Sequence, residues 1–290
     1  MKSETRNSKL RSAKESRLRD FYEALFAIWG EQHWWPAHTP FEVIVGAYLT
    51  QNTAWTNVER ALDRLRSAGV LHVEGIREVP LRRLHSLIRS AGYFRQKAKR
   101  LKKFVTFLDE RYDGSLENML ARPTAELRQE LLALNGIGPE TADSILLYAG
   151  NHPVFVVDAY TRRILARHRI HSEKAPYDEI RELFEQALLA EVRALPPSPS
   201  GQASTTNPGI EAGPRDPART GASHPPSPMS TAKRSPVAQV YNQMHGLMVG
   251  VGKSYCRKSK ALCGNCPLER FLPVSKRANR VRIQGPLAAL

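Results

Sequence analysis

The stretch "LNGIGPETAD", Leu134–Asp143, places two glycines and a proline between an apolar run, "TAELRQELLAL", and a second run, "PETADSILLYAG", that reads as helix. Two helices joined so tightly need backbone conformations that side chains resist, and Gly136 and Gly138 are the residues to supply them. Pro139 falls in the first turn of the second helix, where a missing N–H costs nothing. Such a turn presents free backbone N–H groups with no side chain in the way, so Asn135, Gly136 and Gly138 are candidates for holding a phosphate. An ordinary helical hairpin uses the same chemistry. The spacing Leu-x-Gly-Ile-Gly-x-x-Thr-Ala is more specific than that, above all in a basic chain.

The segments around the hairpin read the same way. "DFYEALFAIWG", "LRRLHSLIRSAG", "RQKAKRLKKFVTFLDERYDG", "DAYTRRILARHRI" and "YDEIRELFEQALLA" carry apolar residues at helical spacing between Gly, Pro, Ser, Thr or Asp stops. No segment alternates with period two. The predicted fold class is all-α, with about ten helices joined by short connections. The charge excess is +15, from 43 Lys and Arg against 28 Asp and Glu. This favours a polyanionic partner, chiefly nucleic acid. No apolar stretch reaches the length needed to span a bilayer. The start, "MKSETRNSKLRSAKESRLRD", has no apolar signal region. The expectation is therefore a cytoplasmic protein, nucleoid-associated in a bacterium, with residues 1–19 as a basic flexible arm. Residues 195–236 hold ten of the twenty prolines and almost no large apolar residue, which predicts a disordered insertion.

With these segments in place, the chain from about Trp34 to Cys266 resembles the helix-hairpin-helix DNA glycosylases of the endonuclease III superfamily. In that family the hairpin leads to a second helix, a loop with Gly and Pro, and an aspartate. Here these are Gly150, Pro153 and Asp158 in "AGNHPVFVVD". The resemblance implies two helical domains flanking a DNA cleft. One is a six-helix barrel over 40–150; the other is assembled from 20–39, 151–194 and 237–272, with 273–290 as a tail. It also implies double-stranded damaged DNA as partner, a monomer, and a base flipped out of the stack.

Asp158 opens the helix "AYTRRILARH" and is by local sequence a good N-cap. The family gives the matching aspartate a catalytic role, and the two roles are compatible. A carboxylate in a dry cleft stabilises the oxocarbenium-like sugar as the base leaves and orients the attacking water. Bifunctional members carry a lysine just before the hairpin's Thr-Ala, whose amine attacks C1′. Here that position is Glu140, which forms no imine. The expectation is a monofunctional glycosylase without AP-lyase activity. The acidic residue of the adenine-excising branch corresponds to Ala47, which disfavours that branch.

In "YLTQNTAWTN", Gln51 matches the family residue that enters the gap left by the flipped base, and Tyr93 in "SAGYFRQKA" takes the position of a wedge between base steps. "HWWPAHTPFEVIVGAYLTQNTAW" is similar to the endonuclease III-like 3-methyladenine DNA glycosylases, in which a Trp-Trp-Pro element and an aromatic after the Gln sandwich the alkylated base. That similarity implies a base pocket of Trp34, Trp35, Pro36 and Trp55; core packing is the other fate open to such aromatics. An alkylated purine carries positive charge, so tryptophan faces attract it by roughly 0.5–2 kcal/mol. Its glycosidic bond is already weakened and needs no general acid. The rival readings are an endonuclease III-type enzyme for oxidised pyrimidines or mismatched thymine, and a non-catalytic helix-hairpin-helix DNA-binding protein.

Cys256, Cys263 and Cys266 have the spacing C-x6-C-x2-C. Many endonuclease III relatives add x5-C and hold a [4Fe–4S] cluster by four thiolates. The fourth position here is Leu272. Three readings stand open: a cluster on three cysteines and an outside ligand, a loop without metal, or zinc with a histidine such as His245. The glycosylase chemistry requires no cofactor.

Overall fold

The regular elements are helices throughout. The computed structural model describes residues 2–194 and 226–273, and among them twelve α-helices follow one another with a single isolated bridge, Cys256 to Ala261, in place of any strand. The chain divides into two compact units.

One unit comprises His33–Val156 and His224–Asn242. Its helices are α2 (Pro40–Thr50), α3 (Trp55–Ser67), α4 (Val73–Glu78), α5 (Leu81–Leu87), α6 (Phe94–Tyr112), α7 (Leu116–Leu120), α8 (Thr124–Ala133) and α9 (Pro139–Ser144). A π-helical turn, Ile145–Ala149, extends α9. Helix α2 is apolar on every side and buries Phe41 through Leu49, so it is the central element of this core. It starts from a capping box. Thr39 Oγ1 accepts from the Glu42 N–H at 3.2 Å, Pro40 takes the first position, and Glu42 accepts from the His38 N–H at 3.1 Å. Helix α6 is amphipathic and buries Lys97, Leu101, Phe104, Val105 and Leu108 on one stripe. Each of its large apolar side chains is worth roughly 1.5–3 kcal/mol of transfer free energy.

The other unit comprises Met1–Gln32, Val157–Ser223 and Gln243–Leu290. It contains α1 (Lys2–Trp29), α10 (Ala159–Arg167), α11 (Tyr177–Ala194) and the larger part of α12 (Pro236–Ser254). Helix α1 packs along α11, burying Leu18, Phe21 and Leu25 on one side and Ile180, Phe184 and Leu188 on the other.

The observed boundaries differ from the sequence reading in three places. Residues 2–19 belong to α1 rather than to a flexible arm. Nothing between Lys2 and Trp29 breaks a helix, Arg11 pairs with Glu15 one turn on, Leu18 is buried, and Arg17 donates to the Phe271 carbonyl. The insertion is ordered at its C-terminal end. Residues 195–225 lie outside the described residues, but Ser227 Oγ accepts from the Ala37 N–H at 3.1 Å and the Met229 N–H donates to the Ala37 carbonyl at 3.0 Å. Composition averaged over a long window hides this strap, in which two serines three apart bond each other and Met229 is buried. Finally, His33 onward counts with the unit of α2, because Trp34 and Trp35 pack against Trp55 and Tyr148.

Candidate active site and DNA-binding elements

The hairpin Leu134–Gly138 joins α8 to α9. Gly136 sits at φ +89°, where a side chain is strained, and a Cβ there would lie 2.1 Å from Nε of Arg100. Gly138 differs from expectation. Its φ of −97° suits any residue, and nothing lies within 4 Å of where its Cβ would stand. One glycine is needed for the turn; the other leaves its surface open. Asn135 and Glu140 are exposed on the same turn.

Gln51 follows α2 and is bonded to this hairpin. Its Nε2 donates to the Gly136 carbonyl at 2.9 Å and to Thr141 Oγ1 at 3.0 Å, while its Oε1 accepts from Arg100 Nη1 at 2.9 Å. The candidate gap residue is thus held by two bonds to the hairpin and its second helix and by a third to Arg100 of α6. Close by, the buried Lys97 donates from Nζ to the Leu49 carbonyl at 2.8 Å, to Thr53 Oγ1 at 2.7 Å and to the Ala91 carbonyl at 2.8 Å. One ammonium thereby ties the loop of Gln51 to the loop of Tyr93. Burial pushes that ammonium down to about 8, with the charge of Arg100 adding to the shift. Tyr93 itself has φ +44° and is 68% exposed. Neither Lys97 nor Arg100 stood out in the sequence, where they are two cations among many on a basic helix.

Trp34, Trp35 and Trp55 come together. Trp35 meets Trp55 edge-on with ring centroids 5.0 Å apart, Trp34 lies 5.4 Å from Trp35 and 6.3 Å from Trp55, and Tyr148 lies 5.2 Å from Trp35. Gly46 gives Trp35 room on α2, and the Trp34 carbonyl accepts from Asn242 Nδ2 at 2.6 Å. Trp34 and Trp35 are buried as core aromatics. Trp55 and Pro36 instead line an open hollow of about 1090 Å³, counting the solvent at its mouth, with Ala37, Glu42, Arg66 and Ser227. The rings cross steeply, so a base enters between them only if one turns aside.

Asp158 belongs to the other unit. It N-caps α10, Oδ1 accepting from the Thr161 N–H at 2.7 Å, and its side chain is 13% exposed. Its Oδ2 faces Nε2 of His245 at 3.7 Å, a buried residue of α12. Burial pushes the imidazole below its ordinary range, and the Asp158 carboxylate offsets part of that. His245 is 87 residues from Asp158, so no spacing rule links them.

Cys256, Cys263 and Cys266 line one cavity with Arg167, His168 and Leu272. His245 is not among its lining residues, which removes the zinc reading based on it. Arg167 Nη1 donates to Cys256 Sγ at 3.2 Å, and burial pushes the Cys266 thiol up to about 11. Leu272 contributes an apolar side chain where the family's fourth thiolate would stand. Among the described residues no group of three or more His, Cys, Asp or Glu is arranged to hold a metal ion. The residues present do not fit a cluster held by four thiolates.

An all-helical chain with a glycine hairpin bonded to a glutamine loop, and an aspartate capping a later helix, has the layout of a base-excision enzyme. The chain belongs to the HhH-GPD superfamily of base excision DNA repair proteins, whose profile matches residues 45–188. A Methanocaldococcus jannaschii protein bearing the provisional name of a DNA repair glycosylase is 41% identical over 252 residues, 86% of this chain and 93% of its own. Endonuclease III of Thermotoga maritima is 32% identical over 44% of this chain and 56% of its own. Among solved structures, Helicobacter pylori 3-methyladenine DNA glycosylase bound to 1,N6-ethenoadenine superposes with a TM-score of 0.60 at 26% identity, covering 82% of this chain and 96% of that one. An endonuclease III–DNA complex shares the fold, with a TM-score of 0.62 at 19% identity over 93% of this chain and 98% of that one. The protein is a DNA glycosylase of base excision repair, and DNA is its partner.

Proposed function

We propose that the chain is a monofunctional glycosylase for alkylated purines of the 3-methyladenine type in duplex DNA. The observation that carries this is the cluster of Trp34, Trp35 and Trp55, with Trp55 and Pro36 open to a hollow large enough for a purine. A cationic base gains from tryptophan faces what a neutral base does not. Likeness to the Helicobacter pylori 3-methyladenine enzyme supports the same reading.

In this mechanism Asp158, fixed by the Thr161 N–H, holds its carboxylate toward the sugar as positive charge develops at C1′. The cationic base leaves neutral with the glycosidic electron pair, water bonds to C1′, and its proton passes by way of the Asp158 carboxylate to solvent. Glu140, exposed at the start of α9, supplies no amine, so an abasic site is the product. Gln51 leaves Gly136, Thr141 and Arg100 to fill the gap, and Tyr93 wedges the duplex. A second reading, an endonuclease III-type enzyme, draws on the similarity to the Thermotoga maritima protein.

The test is base release from duplexes carrying methylated purines, an oxidised pyrimidine or a mismatched thymine, with borohydride in parallel samples. The expected result is methylpurine release without a trapped adduct. In Asp158→Asn the rate falls by about 10²–10³, the scale of one electrostatic group at a reacting centre. A trapped adduct with strand cleavage overturns the monofunctional reading, and preferred release of a neutral base overturns the substrate.

A further inference from the structure

Two neighbouring helices of one unit bring an imidazole behind the Asp158 carboxylate. Tyr160, two residues after Asp158, lies so close over Gly252 of α12 that a Cβ there would stand 2.3 Å from its ring. His245 lies seven residues before Gly252, two turns along the same face of α12. The close crossing permitted by Gly252 therefore sets His245 against the N-terminus of α10. There Asp158 Oδ1 is committed to the Thr161 N–H, and Oδ2 faces His245 Nε2 at 3.7 Å. Of the two side chains Asp158 is the more exposed, 13% against 5%, so a ligand arriving from solvent meets the carboxylate with the imidazole behind it.

We propose that His245 is a positioning residue for Asp158, whose protonation draws Oδ2 inward and removes the carboxylate's charge from the reacting sugar. The inference rests on the reading of Asp158 as the catalytic carboxylate. The ionisable groups at this place are Asp158 and Tyr160 around α10 and His245 on α12; Tyr160 is held neutral by burial and by the same carboxylate. Arg163, one turn on, lies over the Tyr160 ring. Burial favours the uncharged imidazole by keeping it below its ordinary range, with the neighbouring Asp158 carboxylate opposing that shift. As pH falls into that lowered range the imidazolium forms and pairs with Oδ2.

The experiment has two arms. In the first, the His245 imidazole is titrated by NMR in the wild type and in Asp158→Asn; loss of the carboxylate lowers the midpoint. In the second, single-turnover base release is followed from pH 5 to 8 on whichever duplex of the panel above reacts fastest. The wild-type rate falls by about tenfold per pH unit once the imidazole takes a proton, and His245→Gln removes that limb while keeping a cooperative melt. An unchanged His245 midpoint, or the same acid limb in His245→Gln, overturns the inference. Full activity in Asp158→Asn overturns the catalytic reading instead, so the two failures are told apart.

Discussion

Two buried nitrogens, one in each unit, are held in opposite ways. Lys97 Nζ donates to three oxygens at 2.7–2.8 Å, which belong to two loops and the end of α2. His245 Nε2 faces Asp158 Oδ2 at 3.7 Å, longer than a hydrogen bond. Burial pushes both away from their charged forms, the lysine to about 8 and the histidine below its ordinary range. The difference lies in what each nitrogen can still do. A cation bonded to two carbonyls and a hydroxyl is a rivet, since any movement breaks several bonds at once in a medium where each is expensive to lose. An imidazole set a little way from a carboxylate has a second arrangement available, reached by one proton.

The comparison breaks first at Lys97. Lys97→Met keeps the length of the side chain but takes this donor from the Leu49 carbonyl and leaves the Ala91 carbonyl with the Thr53 hydroxyl alone. The expected loss is roughly 2–4 kcal/mol of stability, from the charge-assisted bonds removed. Thermal melts should fall by on the order of 10 °C. The pH dependence carries a sign of its own. A lysine at about 8 in the folded state and about 10.4 in the unfolded chain binds more protons when unfolded, so stability rises between those values as pH increases. Denaturant midpoints from pH 8 to 10 should rise in the wild type and stay flatter in Lys97→Met. A variant as stable as wild type would mean that Lys97 does not fasten the two loops.

Next in size is a contrast between the two hairpin glycines. Gly136→Ala meets both a positive φ and Arg100, so Arg100 must leave Gln51 Oε1. About a tenfold loss of affinity for duplex DNA at fixed salt is expected, some 1.4 kcal/mol, with a further ~1 kcal/mol of stability from the strained backbone. Gly138→Ala has an ordinary φ and empty space, and its affinity should stay within about twofold. Equal losses in the two variants would mean that the turn acts through its open surface alone, and that the tie to Gln51 is incidental.

That contrast also marks how far the sequence could be read. Helix content, the hairpin and the cap at Asp158 follow from local pattern, because each is set by residues within a turn or two, whereas Gln51 is singled out by the resemblance to the family. The network behind them does not. Arg100 reaches Gln51 across 49 residues and His245 reaches Asp158 across 87, and neither has a local signature that separates it from a surface cation or an ordinary helical histidine. The strap around Met229 was concealed for a different reason. Its two contacts to Ala37 reach only backbone atoms of that residue, one from the Met229 N–H and one to the Ser227 hydroxyl, which composition does not register. The fourth position of the cysteine motif was legible as Leu272 from spacing alone, and the cavity it lines agrees with what a leucine can do there.

The smallest effect tests the opposite end of α2 from Lys97. In the sequence "HTPFE", residues 38–42, Thr39 Oγ1 accepts from the Glu42 N–H and Glu42 Oε2 accepts from the His38 N–H. Glu42 is further held by Arg66 at 2.6 Å. Thr39→Ala removes one of these contacts and leaves the others, so the expected cost is about 1 kcal/mol, within the range for loss of an N-cap hydroxyl. Thr39→Ser restores most of it. Because α2 is packed on every side, a frayed first turn is not expected to travel the length of the helix to Leu49 and Gln51. DNA affinity in Thr39→Ala should therefore match wild type after correction for the folded fraction. A drop in affinity beyond that fraction would mean that both ends of α2 move together, and that the rivet at Lys97 is weaker than its three bonds suggest.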